Sequence, residues 1–150
     1  MKIVLQRVKE ASVTVEGRVV GGIGKGLLVF LAVAKDDTLD DIQYLIKKVI
    51  ELRVFEDAQG KMNCSIQEAQ GEFLVVSQFT LLGACQKGRR PSFDAAADPQ
   101  KGEELYNVFV DALKKSGQKV QTGQFRAMMD VALVNDGPVT FILESRPQEH

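Results

Sequence analysis

Tryptophan is absent from this chain, histidine occurs once, at position 150, and cysteine occurs twice. Each shortage removes a class of function. His150 is the final residue, behind Arg146-Pro147-Gln148-Glu149, and chain ends are usually mobile, so residues 147–150 are read as a mobile tail. A site elsewhere must then work without the commonest general base. Cys64 and Cys85 are too few for a disulfide framework, which fits a reducing cytoplasm. Without a clustered His or further Cys they make a poor metal site, so they read as ordinary thiols; no metal and no cofactor is expected. A surplus of one charge is missing too: 19 Lys and Arg against 20 Asp and Glu leave a net −1. General neutralisation of phosphates needs a basic surplus, so no DNA partner is expected, although a small local contact with RNA remains compatible. No apolar run reaches the ~20 residues that span a bilayer. The opening Met1-Lys2-Ile3-Val4-Leu5-Gln6-Arg7 turns polar too soon for a signal peptide. A membrane partner is not expected.

What is present fits one core. The length of 150 residues and the 45% hydrophobic content suit a single domain. Residues 2–8 alternate apolar and polar, as a half-buried strand does, and residues 11–16 and 18–23 around Gly17 read as a hairpin. Residues 27–33 read as a central strand buried on both faces. Thr38 with Asp41 resembles a capping box, and Leu39, Ile42, Ile46, Val49 and Ile50 follow at helical spacing. Arg53-Val54-Phe55 reads as a short strand before the Asp57-Ala58-Gln59-Gly60 turn. Residues 73–82 read as a strand opening into a loop over 83–93. Asp98-Pro99 opens a second helix that Gly117 stops. Residues 128–134 and 139–143 read as two last strands around an Asn-Asp-Gly-Pro turn. Mostly strands with two helices inserted predicts an α+β domain on a mixed or antiparallel sheet.

Some segments imitate chemistry. Gly21-Gly22-Ile23-Gly24-Lys25-Gly26 looks like a phosphate loop, but Leu27 stands where Ser or Thr should meet Mg²⁺, and a strand follows instead of a helix. Asp36, Asp37, Asp40 and Asp41 lack the spacing of a calcium loop and read as charges at a helix start. Met128-Met129 reads as core filler, with Met129 able to line a pocket.

Two short segments remain. Ser77-Gln78-Phe79-Thr80 closes an apolar strand, where a hydroxyl, an amide and main-chain N–H groups can converge on a developing oxyanion. Thr80 has no base in view to make it a nucleophile; the plain reading is a polar strand end whose hydroxyls satisfy nearby backbone. Gly137-Pro138 is the second. X-Pro bonds adopt cis more readily than other peptides, and a cis Gly-Pro would turn two carbonyl oxygens to one side, fit to hold an ammonium group. A simple turn is the plain reading there.

Ser-Gln-Phe-Thr-Leu, then Lys87-Gly88-Arg89-Arg90-Pro91-Ser92-Phe93, then Asn135-Asp136-Gly137-Pro138-Val139-Thr140, closely resembles the D-aminoacyl-tRNA deacylases. The opening eight residues and the Gly-Lys-Gly-Leu-Leu-Val segment look like that family as well, and the resemblance runs from residue 1 to about 146. It implies a barrel-like α+β fold with two main helices on the sheet, and a cytoplasmic homodimer that hydrolyses the ester of D-aminoacyl-tRNA, with glycyl-tRNA also accepted. Ser77, Gln78, Phe79 and Thr80 would line the acyl pocket. Gly137 and Pro138 would reach into the partner's pocket, with Arg7 holding them and Met129 nearby. Lys87, Arg89 and Arg90 would meet phosphates of the acceptor end. Two alternatives stay open: an editing deacylase for a mischarged L-amino acid, and a non-enzymatic dimer that binds amines or RNA ends.

Overall fold

The computed structural model describes residues 1–146, and the expectations for a mobile tail and for His150 fall outside them. Its order is β1 (Lys2–Val15), β2 (Arg18–Ile23), β3 (Gly26–Ala32), α1 (Leu39–Glu51), β4 (Phe55–Glu56), β5 (Met62–Cys64), β6 (Glu72–Ser77), a 3-10 turn (Phe79–Leu82), α2 (Pro99–Lys114), β7 (Val120–Thr122) and β8 (Asp130–Glu144). β5 and β7 have no counterpart in the sequence reading, and four further differences stand out. The two expected opening strands are one, β1, which stays continuous although its pairing with β8 is irregular between Gln6 and Val8 and between Val8 and Glu10. The two closing strands are also one, because both halves of β8 pair antiparallel with β1. The strand expected over 73–82 stops at Ser77, where the chain coils into the 3-10 turn. The short strand expected at 53–55 begins instead at Phe55 and pairs with β5 across the 57–60 turn.

β1 organises the sheet. Its first half pairs with β3 and its second half with β2, while β8 runs along its other side. β6 adds parallel to β3, and β7 parallel to β6, giving the mixed sheet that the strand pattern predicted. Glu16 and Gly17 both have positive φ, 50° and 76°, the geometry of the two-residue turn that best suits the twist of a hairpin. β2 then curls until it meets β7: a methyl on Gly21 would run into the Thr122 carbonyl, so glycine is what lets the sheet nearly close into a barrel.

Alternation along the strands fills both faces. Ile3, Leu5, Leu27, Val29, Leu31, Phe73 and Val75 meet Leu45, Val49, Phe109 and Leu113 of the helices. Val8, Ala11, Val13, Ile23, Leu28, Leu74 and Val76 form a second cluster on the opposite face. β3 is buried on both sides for this reason. At the start of α1 the Thr38 N–H donates to the Asp41 carboxylate at 2.8 Å. Burial alone would raise the Asp41 carboxyl, but donation from Arg146, Ser145 and Thr38 holds it well below the usual carboxylate range. Asp98 caps α2 by accepting from the Lys101 N–H at 2.9 Å, with Pro99 at the first helical position.

Tyr106 ties α2 to the sheet: its hydroxyl donates to the Val75 carbonyl at 3.0 Å, and burial pushes the phenol up to about 12. A phenol in the unfolded chain ionises near pH 10. The folded state therefore keeps its full stability below that value and loses it between pH 10 and 12, as unfolding becomes coupled to proton release. The loss amounts to about 2–3 kcal/mol. Urea unfolding from pH 9 to 12 should show this decline in the wild type relative to Tyr106→Phe, which has no phenol to ionise; parallel curves would refute it.

Candidate active site

β6 ends where its partner ends. The Gln78 N–H still donates to the Leu31 carbonyl at 2.8 Å, the last bond in line with the β3–β6 pair. The backbone then closes into the 3-10 turn through Leu81 N–H to the Gln78 carbonyl at 3.2 Å and Gly83 N–H to the Thr80 carbonyl at 3.0 Å. Phe79 and Thr80 are the first residues of that turn, and a helical turn leaves its first N–H groups without internal partners. Both residues are exposed, while Ser77 and Gln78 are half-buried. Two fixed main-chain donors thus open to the surface beside one another. The Gln78 carboxamide donates to the Thr80 hydroxyl oxygen. A neutral amide cannot accept a proton from that hydroxyl, so nothing in this pair activates Thr80 as a nucleophile.

The Asn135–Val139 segment is a projection from β8, not a hairpin turn. Gln6 pairs with Thr140 and Val8 with Asn135, so Asp136–Val139 are spent opposite a single β1 residue, Arg7. Extra residues on one strand must leave the sheet. Gly137 and Pro138 form its exposed tip, and their peptide is cis. Arg7 anchors it from below. Its side chain, 6% exposed, donates from Nε to the Asp136 carbonyl at 3.0 Å and from Nη1 to the Val54 carbonyl at 2.7 Å. The Asp136 carboxylate lies 3.4 Å from the same Nε and Glu56 3.8 Å from Nη2. Asn135, which the sequence reading passed over, does as much: its Nδ2 donates to the Arg7 carbonyl at 2.9 Å and the Val139 carbonyl at 3.1 Å. A methyl on Gly137 would run into the Asn135 amide oxygen. The available signal was a polar side chain inside an apolar alternating run.

Within one chain the two segments stand apart. Gly137 lies level with Arg7, which pairs with Leu27, whereas Ser77 pairs with Leu31, four residues further along β3. Four residues and three strand spacings separate them by about 13 Å along the sheet and about 14 Å across it. Met129 packs against the second core cluster, beside Gly123 and Val13.

The 83–93 loop rises from the 3-10 turn. Ala84 and Ser92 exchange both main-chain bonds, at 2.7 and 2.9 Å, closing its neck, and Gly88 turns its tip with φ 68°. Lys87, Arg89 and Arg90 are exposed on that tip, and among the described residues none of them pairs with a carboxylate. No cluster of three or more His, Cys, Asp or Glu side chains able to hold a metal occurs among the described residues. None of the described helices is long and apolar enough to cross a membrane.

The chain is similar to known proteins along nearly its whole length. Residues 4–144 match the family model described as D-Tyr-tRNA(Tyr) deacylase. The D-aminoacyl-tRNA deacylase of Desulfatibacillum aliphaticivorans is 58% identical, over 97% of this chain and all of that one. The protein of the same name from Thermotoga petrophila is also 58% identical, over 97% of both chains. Among solved structures, one titled c-Myc DNA Unwinding Element Binding Protein is 42% identical with a TM-score of 0.93, covering 98% of this chain and 100% of that one. Another, titled as a probable eukaryotic D-amino acid tRNA deacylase, is 18% identical with a TM-score of 0.82, covering 95% of this chain and 98% of that one, a likeness of fold alone.

Proposed function

The chain belongs to the D-Tyr-tRNA(Tyr) deacylase family of aminoacyl-tRNA hydrolases, and from that premise we propose that it acts in the cytoplasm as a homodimer that removes D-amino acids from tRNA. Each pocket would combine one protomer's Ser77–Thr80 segment with the partner's Gly137–Pro138 tip. The observation that carries this reading is the separation of the two segments. Along a single sheet they lie on the order of 20 Å apart, too far to share one ester. A two-fold interface would join each to its counterpart and make two equal sites. The outer edge of β8 supports such an interface: among the described residues it pairs only with β1, and Val134, Phe141 and Ile142 are exposed on the same strand. A free, apolar edge of that length is ordinarily covered.

The reaction is hydrolysis. Water adds to the ester carbon, the bond to the ribose 3′-oxygen breaks, and that oxygen takes the proton, leaving free D-amino acid and tRNA. The substrate brings much of what is needed, since an aminoacyl ester is activated and the adjacent 2′-hydroxyl can orient or activate water. The Phe79 and Thr80 N–H groups supply the oxyanion donors. The partner's Gly137 and Pro138 carbonyls hold the α-ammonium, so a D side chain points to solvent and an L side chain is driven into fixed backbone. Selection by exclusion has no pocket that reads the D side chain, and glycine, with nothing to exclude, is accepted. Lys87, Arg89 and Arg90 serve the acceptor-end phosphates.

Hydrolysis of D-tyrosyl-tRNA and L-tyrosyl-tRNA by wild type and Thr80→Ala tests the reading. The D ester should be cleaved and the L ester left at its spontaneous rate, with Thr80→Ala within about tenfold of wild type. Removing a true nucleophile costs on the order of 10⁶ in kcat. A collapse of that size, with binding intact, would establish a covalent route through Thr80; equal cleavage of both esters would remove the gate.

A further inference from the structure

The start of β1 holds a charge that the proposed pocket does not use. The Met1 α-ammonium donates to the Asp37 carboxylate at 2.6 Å and to the Ser145 hydroxyl oxygen at 3.0 Å. Neither member of the ion pair meets solvent: the ammonium is 0% exposed and the Asp37 side chain 2%. The other Asp37 oxygen accepts the Ala34 N–H at 2.6 Å. From Ser145 the bonds continue, because its hydroxyl donates to Asp41 at 2.6 Å and Arg146 pairs with the same carboxylate at 2.9 Å. Two cations thus face two carboxylates, and the network joins the start of β1, the residues just past β8 and the opening of α1. Of the acids that imitate a calcium loop in the sequence, Asp37 takes an ammonium and Asp41 a guanidinium. Met1 is fixed on its other sides too, with its side chain in the first core cluster and its carbonyl accepting the Ser145 N–H at 3.0 Å.

We propose that the Met1 nitrogen is an acylation-sensitive position: an acyl group on it, formyl or acetyl, disables this fold, which reaches full stability only when that nitrogen is a free ammonium. The case is one of charge and room. Acylation replaces an N–H bond by an N–C bond to a carbonyl carbon and turns the cation into a neutral amide. The Asp37 carboxylate would then lose its counter-charge inside the protein, the costly way to break a buried pair. The nitrogen is also sealed from solvent, so an acyl group would have to part the ends of β1 and β8. Loss of Met1 would not restore the pair. The ammonium would move to Lys2, about 3.8 Å along the chain, with the side chain beside it on the other face of the strand.

Acetylation of the protein before and after unfolding tests this. In urea at about pH 7 the α-amine is more often unprotonated than a lysine amine, so a limiting dose of an acetylating reagent takes it first. In the native protein the same dose should reach lysines and spare Met1, read by mass mapping of peptides. After refolding, protein acetylated at Met1 should melt roughly 6–20 °C below unmodified protein carried through the same steps, or fail to refold, the usual loss for one orphaned buried charge at this chain length. Protein acetylated on lysines in the native state should unfold and refold as wild type does. In Asp37→Asn no carboxylate is left to be orphaned, and acetylation of Met1 should lower Tm by much less. Native labelling of Met1 at the rate of the lysines overturns the proposal, as does an unchanged Tm after acetylation. A shift as large in Asp37→Asn as in wild type also overturns it, since charge would not be the cause. None of these measurements involves RNA or turnover, so their outcome is independent of whether the hydrolytic reading survives.

Discussion

Two inactive variants of this chain should regain activity when mixed. Phe79→Pro removes a main-chain donor from the pocket and leaves the Gly137–Pro138 tip untouched. Gly137→Val drives a side chain into the Asn135 amide, displacing the tip, and leaves the pocket untouched. Each homodimer would carry two damaged sites, and each should cleave D-tyrosyl-tRNA at a small fraction of the wild-type rate. After unfolding and refolding together, half of the dimers are mixed. In a mixed dimer one site pairs both faults, while the other pairs the intact pocket of one protomer with the intact tip of its partner. The mixture should therefore recover about a quarter of wild-type activity, a consequence of the two-fold symmetry of an isologous interface. Activity that stays at the sum of the two variants would mean that each site is complete within one chain. That result would contradict the separation of the segments in the sheet, where Gly137 lies level with Leu27 and Ser77 with Leu31.

Much of the framework that creates this separation was legible in the residues. The helices announced themselves through Thr38 with Asp41 and through Asp98-Pro99, because a capping side chain and a leading proline satisfy the orphan groups of a first turn wherever the helix packs. β3 was legible from an unbroken apolar run, since a strand covered on both faces has no polar side to show. What escaped was set by partners distant in sequence. β5 and β7 are three residues each, too short to show a period, and exist only because β4 and β6 offer them an edge. The Asn135–Val139 projection was read as a turn because bulges and turns ask for the same small polar residues. Only the pairing of both halves of β8 with β1 separates the two. Phe79-Thr80-Leu81-Leu82 continues the apolar run of β6, and its coiling follows from the end of the neighbouring strand, which no local pattern records. Ser77–Thr80 and Gly137–Pro138 stood out as a polar strand end and an X-Pro segment, each with a plain structural reading beside it, and the resemblance added their roles. Asn135 opens the Asn-Asp-Gly-Pro motif, but its role shows only in the structure, where its amide fastens the tip to Arg7 of β1 and to Val139.

The second large effect concerns the oxyanion donors, and it turns on comparing two substitutions at one position. Phe79 opens the 3-10 turn, and the residue before it, Gln78, lies outside the α region with φ −145° and ψ 80°. Proline is tolerated at the first position of a helical turn because no internal bond needs its N–H. A preceding residue outside the α region avoids the main clash with its ring. Phe79→Pro should therefore fold, lacking one hydrogen atom that the proposed chemistry requires and one ring of the proposed pocket. Phe79→Ala lacks the ring and keeps the hydrogen. The difference between them isolates the donor: kcat at saturating D-tyrosyl-tRNA should be about 10²- to 10³-fold lower for Phe79→Pro than for Phe79→Ala, the usual effect of losing one oxyanion-hole donor. KM should be raised in both variants to a similar degree, since each has lost the ring. A substrate ending in 2′-deoxyadenosine supplies the complement. If the ribose hydroxyl assists the attack, wild type should lose a comparable factor on that substrate, because the donors would remain and the assistance would be gone. Equal kcat for Phe79→Pro and Phe79→Ala would place the stabilising charge elsewhere, and the Thr80 N–H, next along the same turn, would be the first group to test.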